Sequence, residues 1–382
     1  MKKVLRLAGG FIAGACLGVA IAKGAMMIFS DTPAGDFEGK AAAVDFGLIV
    51  GRILLGGVLT LLAIFLQIIL HEGGHLVCGL ASGYRFVSFR ILNLTLIRQN
   101  GKFRLKRYGL AGTGGQCLLT SPERPLQDIP TTLYNLGGVL FNLLTAAAAI
   151  LILLTVDGMP HFLHLFLLLF GLMGIVIGLT NGIPMKLSGI SNDAANMRLL
   201  QRNPASKRAM MNQLRINAAV QEGTRPKDMP AEWFAPAGET DYKDALQTGI
   251  AVMAAGRLLD CEQWESAYDA LEEAMSHKDE ILGLYVKEIS CELLYLSLLL
   301  GKEERADQLC TKELDTYINQ YKNLMSSKQR LLCALALFRE KDAAKARRIY
   351  EDVCRRRDQY LMQGEVAMDI ALMDSMLTAA NA

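Results

Sequence analysis

The stretch that most constrains this chain is Ile68 to Leu80, IILHEGGHLVCGL, which sets His71, Glu72 and His75 inside an otherwise apolar run. At 3.6 residues per helical turn, His71 and His75 fall one above the other on one face, so two imidazoles can bind one metal ion with Glu72 beside it. In this HExxH spacing, neutral imidazoles hold zinc (Zn2+) and the carboxylate takes a proton from zinc-bound water as it attacks a carbonyl. No charged residue precedes the motif back to Arg52. Burying a glutamate and two histidines in such a helix is costly, so a partner or a task is expected for them.

The 382 residues are 52% hydrophobic, and the apolar ones are concentrated before Thr180, whereas the chain from about Arg198 onward is charged and helix-forming. This divides the chain into a membrane half and a soluble half. A net charge of +2, with no basic stripe carrying interleaved aromatics, excludes a nucleic-acid partner as a working reading. The eight cysteines form no CxxC pair, which fits free thiols in a reducing compartment.

Lys2, Lys3 and Arg6 precede an apolar run from Leu7 to Phe29. Residues 1–30 therefore read as an N-terminal transmembrane helix with a cytoplasmic start, or as a cleaved signal peptide. An acidic linker from Ser30 to Asp45 follows on the outer side. Residues 46–200 form the expected core, with spans at about 46–80, 131–156 and 162–180. His71 lies roughly 28 Å along the helix from Arg52, toward the cytoplasmic boundary.

Between the first two of these spans the pattern alternates, and Asn100-Gly101 sits between two such runs, which predicts a β-hairpin over 84–120. Its arginines and lysines place it in the cytoplasm. The glycine-rich segment Gly109 to Gly115, ending at Gln116, reads equally as a re-entrant loop or as part of a surface hairpin.

A hydrolytic zinc held by two histidines needs a third protein ligand and an open position. Asp193, the first carboxylate after Asp157, returns to the same side as the HExxH motif and is the candidate; its alternative role is N-cap of the helix that follows. Glu123 and Glu222 are the nearest glutamates downstream of the motif, and neither lies in an apolar helical run.

Residues 204–382 read as antiparallel helical hairpins. Ala267, Ala306 and Ala346 recur at intervals of 39 and 40 residues, each followed four positions later by a larger residue. That period predicts a tetratricopeptide-like array presenting a surface to a protein partner. The expected fold is thus mainly α: a polytopic helical membrane domain of about four spans with a β-hairpin insertion, followed by a soluble tetratricopeptide-like domain. The N-terminus and the C-terminal domain are expected in the cytoplasm of a cell-membrane protein.

The chain resembles the site-2 protease family of intramembrane zinc metallopeptidases over about residues 46–200. The resemblance rests on His71-Glu72-Gly-Gly-His75 in a span, the β-hairpin after it, Gly-Gly-Val-Leu-Phe-Asn at 137–142 and Asn181-Gly-Ile-Pro184 followed by Asp193. In that family the ligand aspartate comes about five residues after the proline, and here Asp193 comes nine after Pro184. The resemblance implies zinc on His71, His75 and Asp193, with Glu72 as general base. It implies that Asn142, and with it Asn181, holds the substrate or polarises the scissile carbonyl, and that Gly138 and Gln116 contribute to substrate binding. It further implies that an unwound substrate segment pairs with the hairpin as an added strand. The expected activity is hydrolysis of peptide bonds in or near transmembrane segments of membrane proteins or membrane peptides. The alternative is a catalytically silent membrane scaffold whose metal site is structural and whose helical array recruits a partner.

Overall fold

Helix α1 spans Phe46–Ala81, a run of 36 residues without a proline. At 1.5 Å per residue it is about 54 Å long. It stops where Gly83 turns the backbone to φ +88°. Helix α2 spans Thr132–Thr155 and α3 spans His161–Gly182. Pro160 opens α3, and Pro184 prevents its continuation. All three are long and apolar enough to cross a membrane. Their outer faces stay apolar and exposed, as at Leu54, Val58 and Leu61 of α1 and Leu144, Leu151 and Leu154 of α2.

The computed structural model describes residues 46–99, 101–108, 114–187 and 189–380. The expected first span, at 1–30, lies outside the described residues, as do Asn100 and most of the glycine-rich segment. The chain divides into two compact units. The first takes the residues up to Ser82 with Thr131–Leu187 and Ser191–Met197; the second takes Gly83–Pro130, Ser188–Ile190 and Arg198–Ala382.

Within the first unit α1 and α2 approach until backbone meets backbone. A Cβ on Gly74 would run into the carbonyl of Gly137, and one on Gly137 into the carbonyl of Gly74. Small residues permit such contacts between apolar helices, and Gly74 is one of the two glycines inside HEGGH. Beyond α3, the short strands β5 (Lys186–Leu187) and β6 (Ile190–Ser191) pair, and helix α4 (Asp193–Arg202) begins directly after them.

In the second unit the hairpin expected over 84–120 is a four-stranded antiparallel sheet. Its strands are β1 (Arg85–Ile91), β2 (Leu94–Gln99), β3 (Lys102–Arg107) and β4 (Gly115–Thr120), in the order β3-β2-β1-β4. β1 and β2 join through Leu92-Asn93, with Leu92 at φ 53°. Leucine carries no signal for such a turn, so the sequence shows only the second hairpin, at Asn100-Gly101. Polar residues are buried on one face, with Ser88, Arg90 and Thr95 each 5% exposed or less, while Leu94, Leu96, Phe103 and Leu105 stay exposed. Arg90 is accommodated because its guanidinium donates to the carbonyls of Leu92 and Gly115. Helix α5 (Pro204–Glu222) ties to the sheet through Gln221, whose Nε2 donates to Val87 O and Arg98 O.

The remaining helices are α6 (Ala245–Asp260), α7 (Trp264–Ser276), α8 (Gly283–Leu299), α9 (Glu303–Leu309), α10 (Lys312–Tyr321), α11 (Ser326–Ala334), α12 (Ala343–Arg356) and α13 (Gln363–Ala379). The alanine spacing has a structural counterpart. Glu262, Gly301 and Lys341, also 39 and 40 residues apart, each take a left-handed conformation before a helix that buries its alanine at 2% exposure or less. The third turn closes through Asp342 N to Ala336 O, one residue further back than Gln263 N to Leu258 O or Lys302 N to Ser297 O. A π-helical turn at Leu335–Arg339 takes up the extra residue.

A charged network crosses this helical layer. Lys328 pairs with Glu288, and Arg330 with both Glu292 and Asp369. Glu365 lines a cavity beside Glu288, Glu292 and Asp369. Burial and the neighbouring Asp369 and Glu288 carboxylates push Glu365 from its ordinary 4.5 up to about 8. The native chain therefore binds one more proton than the unfolded chain between those values, and stability falls as pH rises through that window. Thermal denaturation of the purified protein between pH 5 and 8 is expected to show this decline, and Glu365→Gln is expected to flatten it.

Candidate metal centre

His71 and His75 project from α1 one turn apart, with their rings edge to face at a centroid distance of 4.8 Å. Each Nδ1 is engaged. His71 Nδ1 lies 2.6 Å from Asn142 Oδ1, and His75 Nδ1 lies 2.8 Å from the carbonyl of Tyr134. Asn142 on α2 is wholly buried, and its Nδ2 donates to Gln67 O at 2.9 Å and to Gln67 Oε1 at 2.7 Å. The backbone carbonyl fixes which way the amide points, so Asn142 Oδ1 accepts and His71 Nδ1 donates. The Tyr134 carbonyl imposes the same tautomer on His75.

Both Nε2 atoms consequently turn their lone pairs outward, and they meet. His71 Nε2 and His75 Nε2 are 3.2 Å apart, and Asp193 Oδ2 lies 3.1 Å from the first and 3.4 Å from the second. Asp193 Oδ2 is buried without a hydrogen-bond partner. Three electron-pair donors at such separations repel one another unless a metal ion or a proton lies between them. Ligand atoms about 2.0–2.1 Å from a tetrahedral ion lie about 3.3 Å from each other, which matches this triangle. The residues fit a metal ion, with imidazoles oriented by a second layer of hydrogen bonds. An aspartate carboxyl is ionised at neutral pH, as a metal ligand must be.

Asp193 is free for this because Asn192 caps α4. Asn192 Oδ1 accepts from Ala195 N at 3.0 Å, three residues into the helix. Glu72 follows His71 on α1 and is partly buried.

Gly138 stands against the ring of His71: a Cβ there would lie 2.6 Å from Cε1. Asn181, in the last turn of α3, donates from Nδ2 to Ile177 O of its own helix. Gln116 is exposed on β4 in the second compact unit, opposite Arg90. Glu123 and Glu222 also belong to that unit, where Glu123 pairs with Arg85. The residue that motif reading misses is Gln67. It is wholly buried one turn before His71, supports Asn142, and donates from Nε2 to Phe170 O of α3 at 3.1 Å. A lone glutamine in an apolar run, one helical turn before the motif, was the signal.

No family model matches the chain, and neither the curated proteins nor the solved structures contain a match.

Elemental analysis of detergent-purified protein is expected to find about one divalent metal per chain in the wild type and in Glu72→Gln, and to find it lost in Asp193→Ala. Asn142→Ala and Gln67→Leu are expected to retain the site with metal affinity lowered roughly 10–100-fold, the range seen when support of metal ligands is removed. Gly138→Ala, which drives a methyl into the His71 ring, is expected to lose metal with both histidines intact.

Proposed function

We propose that the chain is an intramembrane zinc metalloprotease of the site-2 protease type. The observation that carries this reading is the convergence of His71 Nε2, His75 Nε2 and Asp193 Oδ2 beside Glu72 on a helix of membrane-crossing length. His71, His75 and Asp193 would hold zinc, which, when bound, supplies a Lewis acid that activates water near neutral pH and polarises a carbonyl. A purely structural site has no use for a further carboxylate beside its ligands. Glu72 would accept a proton at its carboxylate and pass it to the leaving amine.

The other residues divide by what their atoms already do. With both ends of its amide engaged, Asn142 acts through His71, and Gly138 makes room for that imidazole. Asn181 and Gln116 are left as the candidates for substrate contact. A transmembrane substrate must unwind before its backbone can be attacked, because a helix satisfies its own polar groups. The edge strand β3 offers unpaired backbone groups that would compensate an unwound segment, and the exposed Phe103 and Leu105 on it suit an apolar partner.

In this reading the described membrane-length helices, together with residues 1–30, make four spans. The N-terminus and the helical unit face the cytoplasm, and the repeated hairpins form a tetratricopeptide-like array open to a protein partner.

The test is cleavage of single-span peptides co-reconstituted with the protein in liposomes, read by mass spectrometry. The wild type is expected to cleave within or beside the apolar segment. Glu72→Gln is expected to lose at least 100-fold in rate while retaining its metal. Wild-type protein that holds metal and leaves every membrane peptide intact would instead favour the scaffold reading.

A further inference from the structure

The chain leaves α3 at Gly182 and must deliver a carboxylate to two imidazoles by residue 193. A loop of that length, left free, would have to be ordered by the metal at an entropic cost. We infer that Asn192 is the positioning residue that preorganises Asp193, and that it thereby sets the metal affinity of the centre. This inference rests on the metal-site reading and adds to it the part that makes the third ligand rigid.

The end of α3 leaves carbonyls without helical partners, and the start of α4 leaves N–H groups without them. Asn192 serves both ends with one side chain. Its Nδ2 donates to Thr180 O at 2.6 Å and to Ile183 O at 2.7 Å, and its Oδ1 accepts from Met185 N at 3.2 Å and from Ala195 N at 3.0 Å. Two N–H groups and two lone pairs are the whole capacity of an asparagine amide, and all four are in use. The backbone of Asn192 adds a bond from its N to Met185 O and one from Asn196 N to its O. The β5–β6 pair lies between these anchors, so the chain from Ile183 to Asn192 is fastened at both ends. It also absorbs the longer spacing between Pro184 and Asp193. Asp193 is the next residue, its backbone direction fixed by the first turn of α4. No other common side chain of this size both donates twice and accepts twice: aspartate keeps the acceptors and loses the donors, and serine keeps the cap alone.

The experiment is zinc affinity of the full-length, detergent-purified protein by competition with a chromophoric chelator, for wild type, Asn192→Asp, Asn192→Ser and Asn192→Ala. Far-UV circular dichroism and apo-protein unfolding are recorded alongside. Asn192→Asp keeps the cap acceptor and sets carboxylate oxygens against the carbonyls of Thr180 and Ile183. It is expected to bind zinc roughly 10–100-fold more weakly with an unchanged apo fold. The added negative charge beside the site would by itself strengthen zinc binding, so a loss cannot come from electrostatics alone. Asn192→Ser is expected to show the same loss, and it carries the comparison if Asn192→Ala fails to fold. Wild-type affinity in Asn192→Asp and Asn192→Ser would overturn the role of Asn192 while leaving the metal site standing. Failure of the wild type itself to bind zinc would overturn the metal-site reading, and this inference with it.

Discussion

Two imidazole nitrogens and a carboxylate oxygen that meet at 3.1–3.4 Å need a positive charge between them, a metal ion or a proton, and the first compact unit is arranged to keep them together. Each contributor is held from behind. The carbonyl of Tyr134 orients His75, Asn142 orients His71, and Gln67 holds Asn142 while bonding to α3. This chain of hydrogen bonds also ties the three apolar helices to one another. The backbone contact at Gly74 and Gly137 serves the same end, because α2 must come close for Asn142 and Tyr134 to reach the histidines. The glycine of the motif is therefore as much part of the site as its ligands.

Much of this site was legible in the sequence. An i, i+4 pair of histidines with an adjacent glutamate is a local pattern, and local patterns survive folding. Asp193 was legible by chemical need and by the return of the chain to the same end. Two supporting residues were not legible. Gln67 has no motif around it and gains meaning only when α2 and α3 pack against it. Asn192 was hidden by its neighbour, since either Asn192 or Asp193 could have capped α4; the structure assigns the cap to Asn192 and so frees the carboxylate.

The sheet and the helical unit divide in the same way. Asn100-Gly101 announces one hairpin, whereas the Leu92-Asn93 turn and the pairing of β1 with β4 depend on contacts distant in sequence. The face that carries Leu94, Leu96, Phe103 and Leu105 is left open, and polar residues are packed inward where Arg90 and Gln221 can satisfy backbone groups. Hydrophobic alternation alone would assign the two faces the other way round. In the helical unit the alanine spacing was visible, but its physical origin, a left-handed turn before each alanine-bearing helix, needed the backbone. Two of those three turns use Glu262 and Lys341 where glycine would be easier, so the period is stronger in structure than in sequence.

X-ray absorption at the zinc edge on purified wild-type protein reads the chemical identity of the ligand set directly. The prediction is a four-coordinate shell of nitrogen and oxygen, with the outer-shell scattering of two imidazoles and no sulfur. A shell containing sulfur would place the metal on the chain's free cysteines, and an absence of bound zinc would leave the three lone pairs with a proton alone; either result would contradict the central claim.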